Sequence, residues 1–148
     1  MILISHRGNT NGRLESLENS PSYVDLAISI GYDVEVDVWY LGGLLYLGHD
    51  KPQYVTDIIW FKDRIDKLWI HCKNIDSVEY FQESGYEFNY FWHQEDDITL
   101  TSKNVLWTFP GKKLTTLSIA VLPETVDSWD ITECLGICSD YIKNYIST

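Results

Sequence analysis

Val34, Val36 and Val38 alternate with Asp33, Glu35 and Asp37, and no other stretch of the chain restricts its fold as much. Successive side chains on a strand point to opposite faces, so this segment reads as a strand with one valine face and one carboxylate face. The valines need a covering layer. Glu35 and Asp37 share the other face. They stand either on a solvated edge or in a site that supplies positive partners, since unpaired buried charge is costly.

The neighbouring segments set this strand in an alternating pattern. Ile2 to Ser5 reads as a short buried strand, and the polar stretch from Gly8 to Leu17 as a loop. Ser20 suits an N-cap, Pro21 the first helical position and Gly31 the stop, with Val24, Ala27 and Ile28 on one face between them. Tyr40 to Gly48 reads as a hairpin turning at Gly42-Gly43, with His49 at its end. Val55, Ile58 and Ile59 suggest a second short helix. Leu68 to Lys73 is a strand with Trp69, His71 and Lys73 on one face. Asn74 can cap a third helix through Ile75, Val78 and Phe81, ending at Gly85. Phe88 to His93, Val105 to Phe109 and Leu117 to Leu122 read as strands. A last helix is expected between Glu124 and Leu135, before a strand at Ile137 to Asp140.

Strands that alternate with helices imply a parallel sheet. The fold class is therefore α/β, and about seven core strands plus a hairpin suggest a TIM-type (β/α) barrel. A full barrel usually needs about 250 residues, whereas this chain has 148. The expectation is one reduced barrel domain over residues 1–148, with outer helices missing in the second half.

Composition narrows the partners. A hydrophobic share of 45% fits a globular fold. A formal net charge of -11 argues against nucleic acid and against an anionic membrane surface. One small anionic substrate stays possible, because a local cation can reverse the field in a pocket. No apolar run approaches the roughly 20 residues of a membrane span, and the N-terminal segment has no basic leader. Cys72, Cys134 and Cys138, odd in number and without a leader, point to a reducing, cytoplasmic location and to small buried thiols.

In an α/β barrel the working residues sit at the C-terminal ends of strands. His6 and Arg7 follow the first strand, Glu35 and Asp37 share a face of the second, and His71 and Lys73 share a face of the third. If these faces point inward, they meet in one basin with more ionisable groups than a plain core tolerates. Histidines move protons near neutral pH, arginine grips phosphate oxygens with a fixed fork of donors, and paired carboxylates hold a hard cation. Together with His49 these types suit metal-assisted cleavage of a phosphodiester. His93 ends the fourth strand and is a further candidate for the same pocket. Trp92 and Trp107 read as core, and Glu95-Asp96-Asp97 as a solvated loop.

His6-Arg7-Gly8, Glu18-Asn19, Gly31-Tyr32-Asp33-Val34-Glu35-Val36-Asp37-Val38 and His49-Asp50 resemble the motifs of the glycerophosphodiester phosphodiesterase family, relatives of the phosphatidylinositol-specific phospholipases C. Lys73, Trp107-Thr108 and Gly136-Ile137-Cys138-Ser139-Asp140-Tyr141 resemble later features of the same family. The resemblance implies that His6 and His49 are general acid and base, that Arg7 and Lys73 neutralise phosphate oxygens, and that Glu35 and Asp37 bind Mg²⁺ or Ca²⁺. It also implies a supporting role for Glu18, as a further ligand or through Arg7. The chain departs from the family at His71, where a glutamate usually stands. Imidazole suits Zn²⁺, Mn²⁺ or Fe²⁺ better than Ca²⁺, so His71 is a possible ligand that shifts the metal preference. The functions to weigh are a small-molecule phosphodiesterase acting on a glycerophosphodiester or similar ester, a lyase that releases a cyclic phosphate, and a non-catalytic phosphate-binding or regulatory module.

Overall fold

The computed structural model describes residues 1–146. Its strands are β1 (Ile2–His6), β2 (Asp33–Leu41), β3 (Leu44–Leu47), β4 (Tyr54–Thr56), β5 (Leu68–Cys72), β6 (Tyr90–Trp92), β7 (Ile98–Leu100), β8 (Leu106–Thr108), β9 (Ser118–Val121) and β10 (Gly136–Ser139). Its helices are α1 (Pro21–Ser29), α2 (Ile58–Lys62) and α3 (Ile75–Glu83), with short 3-10 turns at Pro123–Thr125 and Ile142–Tyr145.

All ten strands belong to one mixed sheet. The parallel part runs β6-β5-β2-β1-β10-β9-β8. The long β2 makes this possible. Its first half lies between β1 and β5, and its second half runs on to pair antiparallel with β3, which pairs with β4. The sheet curls into a half-barrel and does not close. Closure would need β6 to pair with β8. Instead the free edge of β8 carries the antiparallel β7, and β6 is only three residues long.

The valine face of β2 is covered as its pattern requires. Val34, Val36 and Val38 are buried in a cluster with Val24 and Ala27 of α1, Phe61 of α2 and Phe81 of α3. Edge-to-face contacts among Phe61, Phe81 and Phe88 fill the space between helices and sheet. Asp57 caps α2 by accepting from the Trp60 amide, and Asn74 caps α3 by accepting from the Ser77 amide. Asn74 also clasps Tyr40 through both backbone groups, at 3.2 and 2.8 Å, so the cap of α3 is tied to β2. The segment around Val55 is a correction: it forms β4 against β3, and α2 starts only after the Asp57 cap.

The other half of the sheet is backed differently. No α-helix follows Glu83 among the described residues. Ala120 and Ile137 are covered instead by Cys134, Ile142 and partly buried loop residues such as Leu114 and Trp129. The helix expected between Glu124 and Leu135 does not form beyond the turn at Pro123–Thr125. Ser128 takes a left-handed backbone with φ 62. Asp130 accepts from both the amide and the hydroxyl of Thr132, a local turn that competes with helix.

The concave face is graded along the strands. Ile4, Trp69, Phe91, Trp107, Ile119 and Cys138 pack together at its base. Two residues further on, Ile4 gives way to His6, Trp69 to His71, Phe91 to His93 and Cys138 to Asp140. Alternation keeps each later residue on the same face as the earlier one, so the titratable groups gather at the C-terminal mouth above an apolar floor. Among the described residues no helix is long and apolar enough to cross a membrane.

Candidate functional site

A sharp turn after β1 places His6 and Arg7 side by side. Arg7 has φ 55 and Asn19 φ 62, left-handed conformations that cost on the order of 1 kcal/mol or more for a non-glycine residue. Their backbones hold each other and β2: the Arg7 amide donates to the Glu35 carbonyl at 3.0 Å, and the Asn19 amide donates to the Arg7 carbonyl at 3.0 Å. The next residue has no room for a side chain, because a Cβ on Gly8 would stand 2.6 Å from the Tyr23 ring.

Asp37 is the electrostatic centre. Its carboxylate lies 2.9 Å from Arg7 Nε, 3.1 Å from His71 Nδ1 and 3.9 Å from Lys73 Nζ. Asn19 clasps it from the side, donating Nδ2 to Oδ2 at 2.9 Å and accepting the Asp37 amide at 3.0 Å. Burial alone would raise its pKa, but the His71 ring when charged and the Arg7 guanidinium outweigh burial and hold it below the usual carboxylate range. Glu35, also buried, has only longer contacts, at 3.8 Å to His6 Nε2 and 3.8 Å to His71 Nδ1. Burial and the neighbouring Asp37 charge push its pKa up. The two carboxylates of one strand face are thus driven apart in acidity by their different partners.

His6 Nδ1 meets Asp140 at 2.7 Å. An ionised carboxylate only accepts, so this contact keeps a proton on Nδ1 and turns Nε2 toward Glu35. Burial opposes the charged ring, yet the Asp140 bond and the Glu35 charge raise its pKa overall. Asn9 donates to both Asp140 and Glu18, at 2.8 and 2.9 Å, which joins the closing strand β10 to the loop after β1. Glu18 contacts Arg7 at 3.4 Å and Arg13 at 3.0 Å. It therefore supports Arg7 and is not a member of the Glu35, Asp37 and His71 group.

His49 arrives from the turn after β3. The Gly48 amide donates to the Asp37 carbonyl at 3.0 Å, and its carbonyl accepts from Trp39 Nε1 at 2.7 Å. Gly48 has φ 149, and a Cβ there would collide with the Lys51 carbonyl oxygen. Glycine is therefore required just before His49. Burial, aided by Arg7 and Lys73, lowers the His49 pKa despite Asp37 and a 2.6 Å contact with Asp50.

One cavity of about 550 Å³ brings these segments together. Its lining includes His6, Arg7, Glu35, His49, His71 and Lys73, with Trp107 and Phe109 on the opposite wall. A smaller cleft of about 200 Å³ shares Arg7, Arg13 and His49 and carries Glu18. Asp37 lies beneath the cavity, fully buried. His93 also lines the cavity, with its ring 4.0 Å from that of Phe109 and neither ring nitrogen hydrogen-bonded. Burial and the nearby His71 push its pKa down to about 4. Asn19 and Asp140 stood in the matched motifs without an assigned role, and Asn9 fell in a stretch read only as loop. Asp140 had a signal: it follows Cys138 by two residues, as His6 follows Ile4.

Glu35, Asp37 and His71 also fit a divalent cation. Each offers a ligand atom, and the three lie within 4.8 Å of one another. Glu35 Oε2 and Asp37 Oδ1 are buried without a hydrogen-bond partner, an arrangement that calls for a positive ligand. Nδ1 of His71 stands 3.1 and 3.8 Å from the two carboxylates, and two ligands of one small cation stand roughly 3 to 3.5 Å apart. Comparison with protein-family models, curated proteins and solved structures finds no match to this chain.

Proposed function

We propose that this protein is a divalent-cation-dependent phosphodiesterase acting on a glycerophosphodiester or similar alcohol phosphodiester. The observation that carries the reading is the meeting of His6, Arg7, Glu35, His49, His71 and Lys73, from four separate segments, around one cavity. The curled parallel arc is, on this reading, a reduced TIM-type barrel whose strand ends hold the site. The buried free thiols of Cys72, Cys134 and Cys138 support a cytoplasmic location.

The roles follow from the chemistry of the groups. Arg7 and Lys73 neutralise the phosphate oxygens, and the Arg7 guanidinium is aimed by Asp37 and Glu18. His6 is held protonated on Nδ1 by Asp140, so Nε2 is the atom that exchanges a proton with the ester. Its raised pKa suits the acid. His49, with a lowered pKa, suits the base that takes a proton from the attacking hydroxyl. Glu35, Asp37 and His71 would hold a cation, Mg²⁺ or Ca²⁺ if the site follows the family and Mn²⁺ or Zn²⁺ if His71 governs it. That cation would supply Lewis-acid stabilisation of the phosphate charge.

The test is a panel of phosphodiesters followed by phosphorus NMR, with chelator and with each cation restored. Turnover that needs a cation, and that His6→Ala and His49→Ala each reduce by roughly 10²-fold or more, is the expected result. The phosphorus species identifies the step: a monoester marks hydrolysis, and an accumulating cyclic phosphate marks a lyase. Phosphodiester binding without turnover by the wild-type protein would replace this reading with a binding module.

A further inference from the structure

The orientation of His71 separates this site from one built of oxygen ligands alone. Its Nε2 lies 2.9 Å from the carbonyl oxygen of His93. A carbonyl only accepts, so Nε2 carries the hydrogen and Nδ1 is the nitrogen turned toward Asp37 and Glu35. The contact with Asp37 is short, at 3.1 Å, yet Asp37 Oδ1 has no hydrogen-bond partner. The Nδ1 and Oδ1 atoms therefore adjoin without forming a hydrogen bond. The ring is also fixed in place, stacked on Phe91 with centroids 5.2 Å apart and planes at 11°. A histidine whose outer N–H is spent on a backbone carbonyl, and whose other nitrogen faces carboxylates, has the second-layer support that metal-ligating histidines characteristically have.

A second observation is independent of the ring. Glu35 is 2% exposed, and its Oε2 has no hydrogen-bond partner. An ionised oxygen buried in that way calls for a cation beside it. The His6 ring, with Nε2 at 3.8 Å from that oxygen, stands too far away to hydrogen-bond it, and among the described residues the ion-pair contact of Lys73 is with Asp37, at 3.9 Å.

We infer that Glu35, Asp37 and Nδ1 of His71 form a mixed nitrogen and oxygen site for a borderline transition-metal ion of the Zn²⁺ or Co²⁺ class, in preference to Ca²⁺ or Mg²⁺. Imidazole nitrogen favours those ions, whereas Ca²⁺ and Mg²⁺ prefer oxygen throughout. The inference rests on the cation-binding part of the proposed function and on none of its turnover steps. His71 is then the residue that sets which metal the site accepts.

Binding measured by calorimetry with Zn²⁺, Co²⁺, Mg²⁺ and Ca²⁺ chlorides tests this without any substrate. Every nitrogen or oxygen site ranks Zn²⁺ high to some degree, so the decisive quantity is the Zn²⁺-to-Ca²⁺ affinity ratio in wild type against His71→Glu. The substitution should lower that ratio at least tenfold and improve Ca²⁺ binding. A ratio that does not move in the folded variant overturns the inference. Nitrogen NMR of the wild-type histidine rings needs no variant, and so covers the case in which His71→Glu fails to fold. Zn²⁺ should shift the Nδ1 resonance of His71 and leave Nε2 protonated. A Nδ1 resonance unchanged at saturating Zn²⁺ overturns the inference just as firmly. Turnover supported by Mg²⁺ or Ca²⁺ alone, with no Zn²⁺ bound at His71, would sink the metal assignment and leave the phosphodiesterase standing. Zn²⁺ bound through Nδ1 with no turnover on any ester would do the reverse.

Discussion

The two halves of the sheet solve the same burial problem in different ways. Strands β1, β2 and β5 are backed by three helices whose aromatic and aliphatic side chains form the largest buried cluster. Strands β8, β9 and β10 are backed by loops and 3-10 turns over a smaller cluster. Most of the charged groups at the mouth stand on the helix-backed half, and the loop-backed half contributes the walls Trp107 and Phe109 together with Asp140. A strand that must hold buried carboxylates close together gains from a rigid outer layer, because repulsion and desolvation both push the site to open. The half with thin backing carries mainly neutral surface, where small displacements cost less.

The largest expected effect lies on the helix-backed half. His6→Ala should reduce turnover by roughly 10² to 10⁴-fold while leaving the apolar floor in place. Steady-state rates beside thermal melts check this, and a full rate in His6→Ala would remove the catalytic meaning of the contrast. Core truncation should sharpen it. Phe61→Ala should cost about 3–5 kcal/mol, and Ile142→Ala in the loop-backed cluster about 2–3 kcal/mol, since loops collapse more readily around a void. Urea unfolding of the two variants measures the difference, and equal losses would show that loops back the sheet as firmly as helices do.

Charge at the mouth should produce a smaller effect with a defined sign. Glu35 and His6 have raised pKa values. The stability that His6 contributes is complete below about pH 6.5 and is lost as pH rises through its higher folded value. Glu35 likewise releases its proton later when folded, so folding weakens as pH rises from about 4.3 through its raised value. Asp37 and Asp140 are lowered. Their contribution is present above about pH 3.9 and is lost as pH falls through their folded values. Through these four groups, cation-free protein should lose stability as pH falls below about 4 and again as pH rises, first through Glu35 and then through His6, and a bound divalent cation should recover the loss at the higher pH. Glu35→Gln should raise the melting temperature without cation at pH 8 and abolish most of the cation's stabilising effect. A cation-free Glu35→Gln protein that melts below wild type would show that Glu35 is a structural partner and not a strained ligand.

The smallest effect belongs to the loop-backed surface. Lys112 and Asp97 form an exposed pair at 2.8 Å, and Lys112→Ala should cost about 0.5 kcal/mol or less. A larger loss in chemical denaturation would mean that this pair pins the loop carrying Asp97 and that the second half is stiffer than its backing suggests.

How much of this was legible in the chain depends on the range of the interactions. The β2 alternation, the Asn74 cap, the helix start at Pro21 and the Gly42-Gly43 turn are local, and each formed where its residues indicated, although the Ser20 side chain makes no capping bond. The candidate groups at the ends of β1, β2 and β5 follow from alternation once the sheet is parallel. The helix expected after Glu124 failed because the turn at Asp130 and the left-handed Ser128 compete locally, and periodicity does not register that competition. Barrel closure failed for a nonlocal reason. The short β7 folds back on β8 and takes the edge that β6 would have used, and no pattern within either segment announces that pairing.

By itself, then, the amino-acid order determined which residues share a face, which segments turn and which groups end up at strand ends, because these depend on neighbours two to four positions apart. Only the tertiary structure decided the partners. Asp140 meets His6 across 134 positions of sequence, and Asn19 clasps Asp37 across 18. The His93 carbonyl, 22 positions away, selects which nitrogen of His71 faces the carboxylates. Such contacts arise where strands distant in sequence become neighbours in a curled sheet, and they leave Asp37 closely partnered and Glu35 with only longer contacts.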